Sequence, residues 1–172
     1  MGAQACDGQG RVDAGGDGEM KPVRAVVEIF PSFRDEACYR EMTVYFWKRA
    51  QIFVADLYHA FAGKGWGAFR DVQRLTAFAD YKLPQVLRQL GVIAYHPDLA
   101  RRVDQMELLP AGSAEEVEIR ATTIWAVEAL REAFQQAEIA ANSMQVDQWL
   151  WRLGQLEAFR DRPYHRCRTI FY

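Results

Sequence analysis

Placed at about 100° per residue on a helical wheel, residues 46–61 sort by polarity. Phe46, Trp47, Ala50, Phe53, Val54, Leu57, Tyr58, Ala60 and Phe61 share one broad sector, and Lys48, Arg49, Gln51, Asp56 and His59 share the other. This is the pattern of an amphipathic helix with its apolar half in a core. Ser32 and Asp35, three places apart, resemble a helix start, and Gly63 is a natural stop. The pattern therefore predicts a long helix from about residue 36 to 62. Upstream, Val26 to Phe30 read as a short extended stretch that Pro31 ends.

Further along, a short helix is expected over 71–79. Pro84 fits the first turn of another over 82–90, which Gly91 stops. His96-Pro97-Asp98 opens one over 97–106. Ser113 followed by Glu116 is a capping box, and the helix it starts should reach about residue 140. Ile119, Thr122, Thr123, Ala126 and Leu130 would form its buried stripe. Asn142 can cap a last helix over 143–158, carrying Trp149 and Trp151. The expected fold class is all-α: one helical domain over 23–172 with little strand.

Residues 1–22 break the pattern. They are rich in Gly and Asp and poor in large apolar side chains, as in a disordered leader. With 172 residues in all, the chain suits one domain with a sizeable core. Its formal charge of −2 argues against a general grip on long nucleic acid, which needs a basic footprint. A small anion held by a few local cations remains open. The cysteines lack CxxC spacing and the histidines are scattered, so no metal site is legible. No signal segment or apolar span stands out, so no membrane association is expected and the default setting is cytoplasmic. The glycines of GKGWGAFRD lack the GK[ST] ending of a phosphate loop and read as turn formers.

Candidate chemistry centres on LTAFADYKLPQVL, residues 75–87. Asp80 stands between apolar neighbours just before a Pro-started helix. A carboxylate in such company must be hydrogen-bonded, paired or put to use. It can cap the following helix, or it can line a ligand pocket in which Phe78 and Tyr81 offer faces to a planar base. The two readings are compatible. Lys48, Arg49, Asp56 and His59 form either a solvated helix face or one turned to a cleft or partner, with a cation in reach of Asp80. The tail YHRCRTIFY holds His165, Arg166 and Arg168 before three apolar residues. If the aromatics dock, the cations could meet a phosphate; otherwise the tail is simply solvated.

Several stretches together carry a family resemblance: FPSFRDEA (30–37), WKRAQIFVADLYHAF (47–61), FRDVQRLTAFADYKLPQVLRQLGVIAY (69–95), GSAEEVEIRATTIWAVEAL (112–130) and PYHRCRTIFY (163–172). In this order they resemble the queuosine salvage protein family, the queuosine 5′-phosphate N-glycosylases/hydrolases that release queuine. The resemblance implies a helical fold related to the helix-hairpin-helix DNA glycosylases. It implies hydrolysis of the bond between ribose C1′ and the 7-deazaguanine base of queuosine 5′-monophosphate, with no metal or organic cofactor, feeding tRNA queuosine modification. By resemblance Asp80 is the catalytic carboxylate, Lys48 a pocket residue and Phe78 a contact to the base. The family also implies a large N-terminal half that this chain lacks. A partner replacing that half is one expectation. A truncated, catalytically inactive binding module is the alternative.

Overall fold

The computed structural model describes residues 20–172. The leader expected over 1–22 thus lies, as far as residue 19, outside the described residues. Among the described residues the first element is helix α1 (Lys21–Ile29), where an extended stretch was expected over 26–30. Pro22 sits in its first turn, where a missing N–H costs nothing, and Val23 and Val27, one turn apart, bury one face.

The fold class is mixed α/β, not all-α. Two small two-stranded sheets accompany the helices. The first replaces the front of the helix expected over 36–62. Strands β1 (Glu36–Tyr39) and β2 (Met42–Tyr45) pair antiparallel, with Ala37 opposite Val44 and Cys38 opposite Thr43. Arg40 and Glu41 join them with φ of 47° and 67°. A two-residue turn with both φ positive follows the strand twist, as a type I′ turn does. Neither residue is Gly or Asn, so the usual sequence signal is missing. The strands themselves are rich in Tyr, Thr and Val, residues that suit a pleat better than a helix.

Asp35 closes the hairpin: its carbonyl accepts the N–H groups of Phe46 and Trp47. Trp47 then takes a left-handed conformation, φ 47° and ψ 34°, and the chain turns into α2 (Lys48–Ala60). Its inner face is Ala50, Gln51, Val54 and Ala55. Phe53 and Phe61, expected inside, are exposed. Gln51, expected outside, is buried because its amide is fully engaged: it donates to the Phe46 carbonyl and accepts the Thr76 N–H, each at 2.9 Å.

Residues 71–79 form no α-helix. A single 3-10 turn covers Val72–Arg74, and the chain then runs irregularly to Asp80. Leu75, Ala77, Phe78 and Ala79 are nonetheless buried. A buried loop must find partners for its backbone, and here the side chains of Gln51, Arg120 and Asp147 supply them. Helices α3 (Lys82–Gln89) and α4 (Pro97–Asp104) stand close to where the sequence put them.

Strand β3 (Leu108–Leu109) precedes α5 (Ala114–Gln136), whose N-cap Ser113 accepts the Glu116 N–H. Helix α6 (Ser143–Leu153) carries a complete capping box: Asn142 takes the Gln145 N–H while the Gln145 side chain takes that of Asn142. It ends at Leu153, short of the expected residue 158. Gly154 lets it end against α3: a Cβ there would lie 2.8 Å from the Val86 side chain. Strand β4 (Arg166–Cys167) returns to pair in parallel with β3.

The apolar residues form two clusters. One joins α1, α2 and the 72–78 segment; the other joins α3, α5 and α6. The 75–80 loop threads the seam, with Leu75 and Phe78 in the first cluster and Ala77 in the second. Asp80 is delivered at the end of that seam.

Candidate functional site

Asp80 is 8% exposed. Its Oδ1 accepts the N–H groups of Lys82 at 2.7 Å and Leu83 at 3.1 Å. Tyr81 stands at the formal N-cap but caps nothing with its side chain. The carboxylate one residue earlier does so, and its charge suits the positive end of α3. Capping leaves Oδ2 free, and Lys48 Nζ lies 3.8 Å from it. The capping reading of Asp80 therefore holds for one oxygen, and the other faces the Lys48 ammonium.

Lys48 reaches this position from the first turn of α2, where its backbone N–H donates to Asp35 Oδ2 at 3.3 Å. Burial pushes its ammonium pKa below the usual lysine range, and the negative charge of Asp80 opposes that shift. The side chains of the pair are 13% and 11% exposed. An ion pair so shielded acts through a lower effective dielectric than a surface pair.

A second carboxylate, missed by the sequence reading, completes the cluster. Asp147 projects from α6, is buried, and accepts the Phe78 N–H at 2.7 Å. Burial raises its pKa to about 7, against the Phe78 N–H and Lys48, which lower it; the charge of Asp80 pushes it further up. Two acids in one electrostatic neighbourhood with different surroundings are the usual arrangement for dividing acid and base roles. The available clue was an Asp among apolar residues, as at Asp80, but within a helix whose register alone did not tie it to residue 78.

Arg120 and Asp35 lie beneath. The guanidinium meets Asp35 through two bonds, Nη1 to Oδ1 at 2.8 Å and Nη2 to Oδ2, and Nε donates to the Ala79 carbonyl at 3.2 Å. Phe46 and Tyr172 contact its faces. Tyr172 donates in turn to Glu116 at 2.7 Å.

The expected site residues divide accordingly. Lys48 and Asp80 come together. Phe78 is 8% exposed and packs into the first apolar cluster. Tyr81 follows Asp80 at the surface, its ring 4.7 Å from that of Tyr164. Asp56 is exposed, two turns along α2 from Lys48. His165 is 1% exposed and close to Tyr172. Burial and the nearby Arg120 charge lower its pKa to about 4, so it is neutral at pH 7. Arg166 is exposed and donates to the Met106 carbonyl. Tyr172 docks the tail against Glu116 and Arg120, Phe171 is half-buried, and Ile170 stays out.

A groove of about 800 Å³ runs beside α5, lined among others by Thr76, Trp125, Arg131 and Asn142; neither Lys48 nor Asp80 lines it. Among the described residues, no group of three or more His, Cys, Asp or Glu is arranged to hold a metal ion. No described helix is long and apolar enough to cross a membrane.

A family model described as queuosine salvage protein matches residues 13–172. Similar curated proteins include the queuosine 5′-phosphate N-glycosylase/hydrolase of Sphaerobacter thermophilus, 53% identical over 161 residues, covering 94% of this chain and 50% of the relative. Those of Dictyostelium discoideum and Mus musculus are 43% and 38% identical, covering 87% and 94% of this chain, and 47% and 50% of their own length. The chain spans about half the length of the curated relatives it matches.

Proposed function

The chain belongs to the queuosine salvage protein family, and from that premise we propose that it carries the catalytic carboxylate of a hydrolase that cleaves the N-glycosidic bond of queuosine 5′-phosphate and releases queuine. The observation that carries this reading is the division of labour within Asp80. One oxygen is anchored to the start of α3 and the other lies beside the largely shielded Lys48 ammonium.

Breaking the bond between C1′ and the base sends its electron pair to the base and builds positive charge on the ribose. A rigid carboxylate beside C1′ stabilises that charge, or orients and deprotonates the attacking water. The water oxygen joins C1′, and the departing base gains a proton. Tyr81, exposed beside the acid, offers a ring face on which the base can stack. A cytoplasmic setting, and the supply of queuine to tRNA modification, belong to the same proposal.

The test is a chromatographic assay for free queuine after incubating the purified chain with queuosine 5′-phosphate. Release that disappears in Asp80→Asn supports the reading. No release, while a full-length relative works in parallel, refutes turnover by this chain. A second reading, a binding module without turnover, draws on the half-length match alone. It predicts a rise in Tm with queuine and no product.

A further inference from the structure

We propose that Arg120 is a positioning residue of this site: its guanidinium ties the segment that anchors Lys48 to the loop that carries Asp80, and so fixes their separation. The proposal rests on the functional reading above and deepens it. Lys48 and Asp80 come from segments of different origin. One is the first turn of α2, and the other is an irregular loop with no helix or strand to hold it. Something must set the distance between them.

Arg120 bridges the two through named bonds. On one side it holds both oxygens of Asp35. The same Asp35 carboxylate accepts the Lys48 N–H, and its carbonyl accepts those of Phe46 and Trp47. On the other side Nε donates to the carbonyl of Ala79, the residue before Asp80. Asp147 holds the Phe78 N–H just upstream, so α5 and α6 grip consecutive parts of one loop.

The orientation of the guanidinium is itself constrained. It lies 3.8 Å from the Phe46 ring centroid and 4.9 Å from that of Tyr172, and Arg120 is only 3% exposed. A planar fork with a fixed Nε–H can serve a carboxylate and a carbonyl together; an ammonium of the same charge cannot do so in the same geometry. A purely structural role is the competing account. Buried ion pairs often add little net stability, and such a role would alter folding without altering how Lys48 senses Asp80.

The experiment follows the titration of Lys48 by NMR in protein carrying side-chain-labelled lysine. Lys48 shares the chain with only Lys21, Lys64 and Lys82, so its signal is assignable. The charges that act on it are Asp80, Asp147, Asp35 and Arg120. Four proteins are compared: wild type, Asp80→Asn, Arg120→Lys and the double variant. Removing the Asp80 charge lowers the Lys48 pKa. Arg120→Lys keeps the positive charge at 120, so a downward shift there reports a displaced Asp80. In the double variant the Lys48 pKa should equal that of Asp80→Asn alone.

A folded Arg120→Lys protein with Lys48 titrating as in wild type overturns the proposal. So do shifts that simply add in the double variant. If Arg120→Lys does not fold, Phe46→Leu removes one face of the guanidinium stack and should give a smaller shift of the same sign; no shift overturns the proposal equally. In parallel, turnover by folded Arg120→Lys should fall about 100-fold in kcat with little change in KM, the usual effect of a small misplacement. Absence of turnover in wild type counts against the proposed function alone, because the titration does not depend on it.

Discussion

Asp147→Asn should make the protein more stable at neutral and alkaline pH, by an amount that depends on pH in a defined way. In the folded chain burial holds the Asp147 carboxyl protonated up to about pH 7, against 3.8 for the free side chain. Between these values the folded state binds a proton that the unfolded state has released. Stability contributed by the neutral acid is fully present below about pH 4 and is lost as pH rises toward 7. A difference of about three units corresponds to roughly 4 kcal/mol at full development. Asparagine keeps an acceptor for the Phe78 N–H and carries no charge, so it escapes the loss. The assay is urea unfolding of both proteins from pH 4 to 8, with ΔG extrapolated at each pH. The stability difference, variant minus wild type, should climb across this range and level off above pH 7. A difference independent of pH, or one that grows as pH falls, would show that Asp147 is an ordinary or strongly ionised carboxylate. In that case the Phe78 N–H and Lys48 outweigh burial.

His165 should give the opposite slope. Its folded imidazole titrates at about 4 rather than 6.5, so stability is lost as pH falls between these values, and His165→Gln should remove roughly 3 kcal/mol of that loss in the same unfolding series. Asp80→Asn should lower kcat by about 10²–10⁴, while an Asn oxygen still caps α3 and the unfolding free energy falls by about 1–3 kcal/mol as the shielded Lys48 loses its partner charge; loss of helicity by circular dichroism would mean the cap needs the charge. Gly154→Ala should destabilise by about 1–3 kcal/mol, because the added methyl meets Val86 across the α3–α6 contact; an unchanged urea midpoint would contradict that packing.

Helices marked by a cap or by Pro were legible in the sequence. Ser113, Asn142, Pro84 and Pro97 each act through local bonds or a fixed φ, and the elements begin within a residue or two of where these residues put them. The hairpin over 36–45 was not legible, because its turn uses Arg40 and Glu41 where Asn-Gly would have announced it. The irregular course of 71–79 was hidden for a different reason. Its backbone is satisfied by Gln51, Arg120 and Asp147, which lie 25, 41 and 69 positions away from their partners. The candidate site, as a cluster of side chains, was half visible on the same grounds. Asp80 betrayed itself by apolar neighbours, and Lys48 by its sector of the wheel. Asp35 and Arg120 lie in other segments, and only the folded contacts join them to Asp80.

Because α3 begins on the Asp80 carboxylate, that position carries an architectural demand besides the proposed catalytic one, and selection can relax the two separately. A descendant that lost all turnover would still be pressed to keep Asp, or a similar short acceptor, there for the sake of its architecture. Finding this aspartate in some other sequence therefore says little about activity. Under the proposed reaction, a lysine placed to face its second oxygen is the better mark of a working enzyme.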